Sequence, residues 1–147
     1  MINFKIKMLF NVSHNDKKTK KTINDLVGNP FGILENFKLR GIGSPRLNIT
    51  KASQEIGLIL NKTNALQYAN IELRPKGIII GFQSQLEVYA LVIPFYKLVI
   101  FKPGNNITFH VDHHFISIDT SKNSKKIMAF LKKIDEQKSK QSYEFIN

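Results

Sequence analysis

The chain has 147 residues, 22 basic and 11 acidic side chains, 42% hydrophobic content, and no Cys or Trp. That length and composition suit one globular domain with a real core and argue against wholesale disorder. The absence of Cys excludes disulfide scaffolds, thiol nucleophiles and thiolate-built zinc or iron–sulfur centres.

The charge is uneven along the chain. Residues 1–54 hold ten basic and three acidic groups, residues 55–120 five of each, and residues 121–147 seven and three. Basic ends around a neutral middle describe a packed body with cationic surface elements at both termini. Lys outnumbers Arg 19 to 3, and Asn and Ile are abundant, as an AT-rich coding genome would produce with no function attached. Lysines meet phosphates as point charges, whereas the planar guanidinium fork suits specific base reading, so few arginines argue against sequence-specific recognition.

At the start, Phe4, Ile6 and Met8 alternate with Asn3, Lys5 and Lys7, which predicts a strand within residues 2–10. Only three consecutive apolar residues follow the first lysines, against the roughly 7–15 of a secretory signal. Lys17, Lys18, Lys20 and Lys21 then crowd a polar segment ahead of Ile23, Leu26 and Val27. Asn29-Pro30 and Gly41 to Pro45 bound a short helix over Ile33–Arg40. Ala52, Ile56, Ile59 and Leu60 fit a helix, and Ile56, Leu58 and Leu60 fit a strand equally well; the pattern leaves both open.

From Ile71 onward the chain reads as β. Ile71 and Leu73 alternate with Glu72 and Arg74 before a Pro75-Lys76-Gly77 turn. Further strands follow over Gly77–Phe82, Leu86–Ile93, Leu98–Phe101, Ile107–Val111 and Phe115–Ile118, with Pro94, Pro103 to Asn106 and Asp112 to His114 as breaks. These connections predict an antiparallel meander. Ile127, Phe130, Leu131 and Ile134 at i, i+3, i+4 and i+7 predict an amphipathic helix, with residues 138–147 fraying.

Six or seven strands followed by one amphipathic helix resemble the bacterial pleckstrin-homology-like (PH-like) domains. Residues 64–136 carry the likeness, with Ile93-Pro94-Phe95-Tyr96 at a strand junction and Phe115–Ile134 as last strand plus helix. The resemblance implies a mainly β fold, a strongly bent antiparallel sheet or barrel plugged by the helix, and a binding scaffold. The helix lacks the Trp of eukaryotic members, with Phe130 in its place. The expected organisation is a basic N-terminal extension over 1–54, a PH-like barrel over 55–136 and a frayed tail over 137–147. Whether the extension packs on the barrel is open.

The resemblance places an anion site at the first hairpin, where this chain offers only Arg74 and Lys76. The expected anion- or membrane-binding set is Lys17, Lys18, Lys20, Lys21, Arg74, Lys76, Lys125 and Lys126. His110, Asp112 and His113, with His114 beside them, have metal-ligand chemistry, and His110 and Asp112 at i, i+2 would share a strand face. A closed site wants four ligands, so no metal or cofactor is expected. No Gly-x-Ser-x-Gly elbow, phosphate loop or dinucleotide fingerprint occurs, which makes the expected protein non-enzymatic. The reading is a cytoplasmic binding or adaptor module, peripheral at the inner membrane surface through anionic lipid. Nucleic-acid binding by the same lysines and a protein–protein or homo-oligomer role are the alternatives. Most aromatics lie in apolar context and read as core; Tyr96, beside Lys97, is the one expected at the surface.

Overall fold

The computed structural model describes residues 6–61 and 67–146, the last five of these as backbone only. The first part of the strand expected over 2–10 lies outside the described residues.

Each element follows from a local pattern. Strand β1 (Leu9–Asn11) leads to helix α1 (Lys17–Val27), capped at its start by the Asp16 carboxylate, which accepts from the Lys18 amide at 3.1 Å. Gly28, in the left-handed region at φ 87°, ends that helix. A short helix α2 (Ile33–Lys38) and strand β2 (Leu47–Ala52) follow. Residues Gln54–Leu60 form helix α3, not a strand: Ile56 and Leu60, one turn apart, are buried, while Leu58 is 64% exposed.

The six strands expected in the middle are all present: β3 (Tyr68–Arg74), β4 (Gly77–Ser84), β5 (Glu87–Pro94), β6 (Val99–Phe101), β7 (Asn106–Val111) and β8 (His114–Asp119). Pro94 ends β5, and a 3-10 turn over Phe95–Lys97 leads into β6. Helix α4 (Ser124–Ile146) follows β8 and runs on through residues 138–146, which were expected to fray.

All pairings are antiparallel, in the order β1-β5-β4-β3-β2-β8-β7-β6. The expectation of a closed barrel is therefore corrected: the sheet is open. Its edges are β1 and β6, three residues each, which pair inward with β5 and β7 and not with one another. Two strands from residues 1–54, β1 and β2, belong to this sheet. β2 joins its two halves, pairing with β3 on one side and β8 on the other through a register shift between Ile49 and Lys51.

One apolar cluster unites both halves. Ile71, Leu73, Ile80, Leu91 and Ile93 meet Ile107, Phe109, Val111, Ile116 and Ile118, and the α4 stripe Ile127, Phe130, Leu131 and Ile134 packs on them. The helical stripe expected from the sequence is the buried face of α4. A smaller cluster of Phe10, Ile23, Val27, Ala90 and Val92 holds α1 against β1 and β5.

Candidate functional site

The expected basic residues fall in three places. Lys17, Lys18, Lys20 and Lys21 crowd the first half of α1, and Lys125 and Lys126 the first turn of α4; all six are exposed. Neither helix has an acidic residue in its first turn. The positive end of a helix dipole favours carboxylates there and disfavours cations by about 0.3–1 kcal/mol each. Helix stability alone does not account for lysines at both starts.

Arg74 and Lys76 part company across the β3–β4 turn. Lys76 is exposed, and its amide donates to the Val27 carbonyl at 2.8 Å. The Arg74 guanidinium is buried. It pairs with Glu72 and donates to Asn24 Oδ1 at 2.9 Å and to the Gly28 carbonyl at 2.8 Å. Its fork is spent on fastening the end of α1 to the sheet. It also helps line a groove of about 490 Å³ beside α1, with Thr19, Lys20 and Glu72.

Helix α2 contributes what the charge pattern did not show. None of its side chains is buried: Ile33, Leu34 and Phe37 are 94%, 67% and 83% exposed. At i, i+1 and i+4 they share one apolar face. Lys38 follows within the helix and Arg40 just beyond it, both exposed. The segment is tethered at both ends. Upstream, Val27 and Gly28 are bonded to Lys76 and Arg74; downstream, Lys133 Nζ donates to the Arg40 and Gly41 carbonyls at 3.1 and 3.2 Å. The apolar face thus lies on a tethered segment that also carries Arg40 and Lys38, the latter paired with Glu35 at 4.0 Å.

A second cluster assembles around the β7–β8 turn. Asp112, at φ 53°, breaks strand alternation there, so the face-sharing expected for His110 and Asp112 does not arise. His110 projects from β7 against Phe101 and Phe115, away from the cluster. Asp112 pairs with Lys97 at 3.1 Å. His113 remains, joined by His114 at a ring separation of 4.0 Å and by Glu55 from α3. Glu55 Oε2 lies 3.8 Å from His113 Nε2 and 3.9 Å from His114 Nε2. His114 is buried, and desolvation first, then the neighbouring His113, holds its pKa below the ordinary histidine value against the opposing pull of Glu55 and Asp112. These groups line a cleft of about 460 Å³ with Met8, Leu9 and Lys97.

Among the expected core aromatics, Phe82, Phe95 and Phe109 are buried and Tyr89 and Phe115 half-buried, but Phe101 is 54% exposed at the β6 edge. Tyr96 is 74% exposed, as expected. Among the described residues, no helix is long and apolar enough to cross a membrane.

No family model, curated protein or solved structure matches the chain.

Proposed function

We propose that the protein is a non-enzymatic binding module, PH-like in its strand-then-helix order, that docks on an anionic phospholipid surface. The observation that carries this reading is α2: Ile33, Leu34 and Phe37 stand in solvent on one face, with Lys38 and Arg40 on the same segment. An apolar face rimmed by cations matches the interfacial region of a bilayer, where acyl chains take the side chains and headgroup phosphates meet the lysines. Each lysine near such a surface contributes about 1 kcal/mol, and Lys17, Lys18, Lys20 and Lys21 on α1 extend the attraction. Cations at the first turn of α1, where they work against helix stability, fit a surface shaped by a polyanionic partner.

The test is flotation of the full chain with neutral and phosphatidylserine-containing vesicles at low and physiological salt. The expected result is binding to anionic vesicles only, weakening with salt. Replacing Ile33, Leu34 and Phe37 with Ser should abolish binding at physiological salt, and neutralising the four α1 lysines should weaken it. Equal flotation of wild type and the triple serine variant would overturn the proposal. So would failure to float under every condition. A preparation that carries 260 nm absorbance removed by high salt, and does not float, would favour nucleic acid instead.

A further inference from the structure

The cleft at the β7–β8 turn is lined by no residue of α1 or α2 and is independent of the lipid reading. His114 occupies it at a cost. Its side chain is 6% exposed, and its Nδ1 is, among the described residues, the one buried side-chain nitrogen or oxygen with no hydrogen-bond partner. A leucine or phenylalanine at this position would strand no polar atom. The other ring nitrogen, Nε2, is the one that faces Glu55, at 3.9 Å.

Three groups that ligate borderline metal ions meet here from separate elements: Glu55 in the first turn of α3, His113 in the β7–β8 turn, and His114 at the start of β8. Their ligand atoms all lie within 4.8 Å of one another. The spacing is held by the backbone: the Ser53 amide donates to the Phe115 carbonyl at 3.0 Å, and the Phe115 amide donates to Ser53 Oγ at 3.1 Å. These bonds lock the start of α3 onto β8, next to both Glu55 and His114.

A tetrahedral zinc ion with ligands about 2.0–2.2 Å away sets those ligands roughly 3.4 Å apart. The carboxylate-to-imidazole separations of 3.8 and 3.9 Å are a few tenths of an ångström wider. Glu55 and His113 are exposed and free to close that gap, while His114 is fixed. Of the two lysines that line the cleft, Lys97 is paired with Asp112, and Lys7 Nζ lies over the Phe10 ring, 5.4 Å from its centroid. Met8 and Leu9, both buried, form an apolar wall that limits water.

We propose that Glu55, His113 and His114 bind one divalent transition-metal cation of the zinc class, leaving a fourth position open to solvent. Two imidazoles and one carboxylate suit zinc better than calcium or magnesium, which prefer all-oxygen sites.

The experiment adds zinc chloride to chelator-stripped, full-length protein and follows competition with a chromogenic chelator, with thermal unfolding as a second readout. Wild type should take up one equivalent saturably and unfold at a higher temperature when loaded. Glu55→Gln and His113→Ala, both at exposed positions, should each weaken binding by about tenfold or more while leaving metal-free unfolding unchanged. His110→Ala, outside the cluster, should bind as wild type does. Absence of saturable uptake at one equivalent, or wild-type affinity in both ligand variants, would overturn the proposal.

Discussion

Gly77 lies so close beneath Val27 that a methyl group on its Cα would fall 2.6 Å from Val27 Cγ1, and 2.3 Å from the Ile93 carbonyl oxygen. The last turn of α1, the β3–β4 turn and the end of β5 converge there, with hydrogen bonds from Lys76 to Val27 and from Phe95 to Lys76, each 2.8 Å. The backbone oxygen cannot swing aside as a long side chain could. Gly77→Ala should therefore destabilise the protein by about 1–3 kcal/mol in urea unfolding. Gly81, in the same strand, would meet only ordinary contacts at 3.9 Å, and Gly81→Ala should change stability by less than about 1 kcal/mol. Equal effects of the two would refute the close-approach account.

Arg74 and Lys76 make opposite predictions although they flank one proline. Arg74→Met removes charged hydrogen bonds to Asn24 and Gly28 and strands Glu72, so it should cost about 1.5–3 kcal/mol of stability. It should leave vesicle flotation intact under conditions where the variant is folded. Lys76→Gln should leave stability within about 0.5 kcal/mol and weaken flotation at low salt. A stable Arg74→Met variant that fails to float would assign the guanidinium to ligand binding instead.

The buried Thr108 and Ser117 hydroxyls face each other across β7 and β8 at 2.7 Å. Either substitution alone, Thr108→Val or Ser117→Ala, leaves one hydroxyl without that partner and should cost about 1–3 kcal/mol. The double variant should cost less than the sum, because both polar groups are then gone. Strict additivity in the cycle would show that the pair is not coupled.

Asp119 accepts from the Ser121 hydroxyl at 2.7 Å and the Ser121 amide at 3.0 Å, just ahead of α4. These bonds, the hydroxyl first, hold its carboxyl below the ordinary carboxylate range. A carboxyl depressed on folding stabilises above its unfolded pKa, and that contribution is lost as pH falls through the folded value. Carboxyl-carbon NMR titration should show Asp119 titrating low in wild type and higher in Ser121→Ala. An unchanged titration would remove the hydroxyl as cause.

The middle of the fold was legible because β-branched, aromatic and other apolar residues crowd β3 to β8, and Pro75 to Gly77, Pro94 and Pro103-Gly104 mark breaks between them. Strand β2 was not: only Leu47 of its residues is fully buried, and the register shift after Ile49 disrupts the two-residue period where the sheet halves meet. Helix α1 was hidden because two buried residues, Ile23 and Val27, define its inner face among lysines and polar neighbours. Burial of Ile56 and Leu60 settles α3, but only tertiary packing shows which of two equally good periods wins. Among the cleft residues, His113 could be picked from its neighbours in sequence. Glu55 could not, since bending of the sheet and docking of α3 on β8 are what bring it across.

The small cluster beneath α1 has a consequence for motion. Phe10, Ile23, Val27, Ala90 and Val92 form a cluster distinct from the main core, which α1 also touches through Leu26, so the lysine-bearing helix rests largely on a foundation of its own. Its opening need not disturb the packing of Phe109, Ile116 or Phe130. Amide hydrogens of α1 should therefore exchange through a partial unfolding of lower free energy than that protecting β4 and β8, which hydrogen-exchange measurements would check. The helix that carries the densest positive charge can then lift while the main core stays packed.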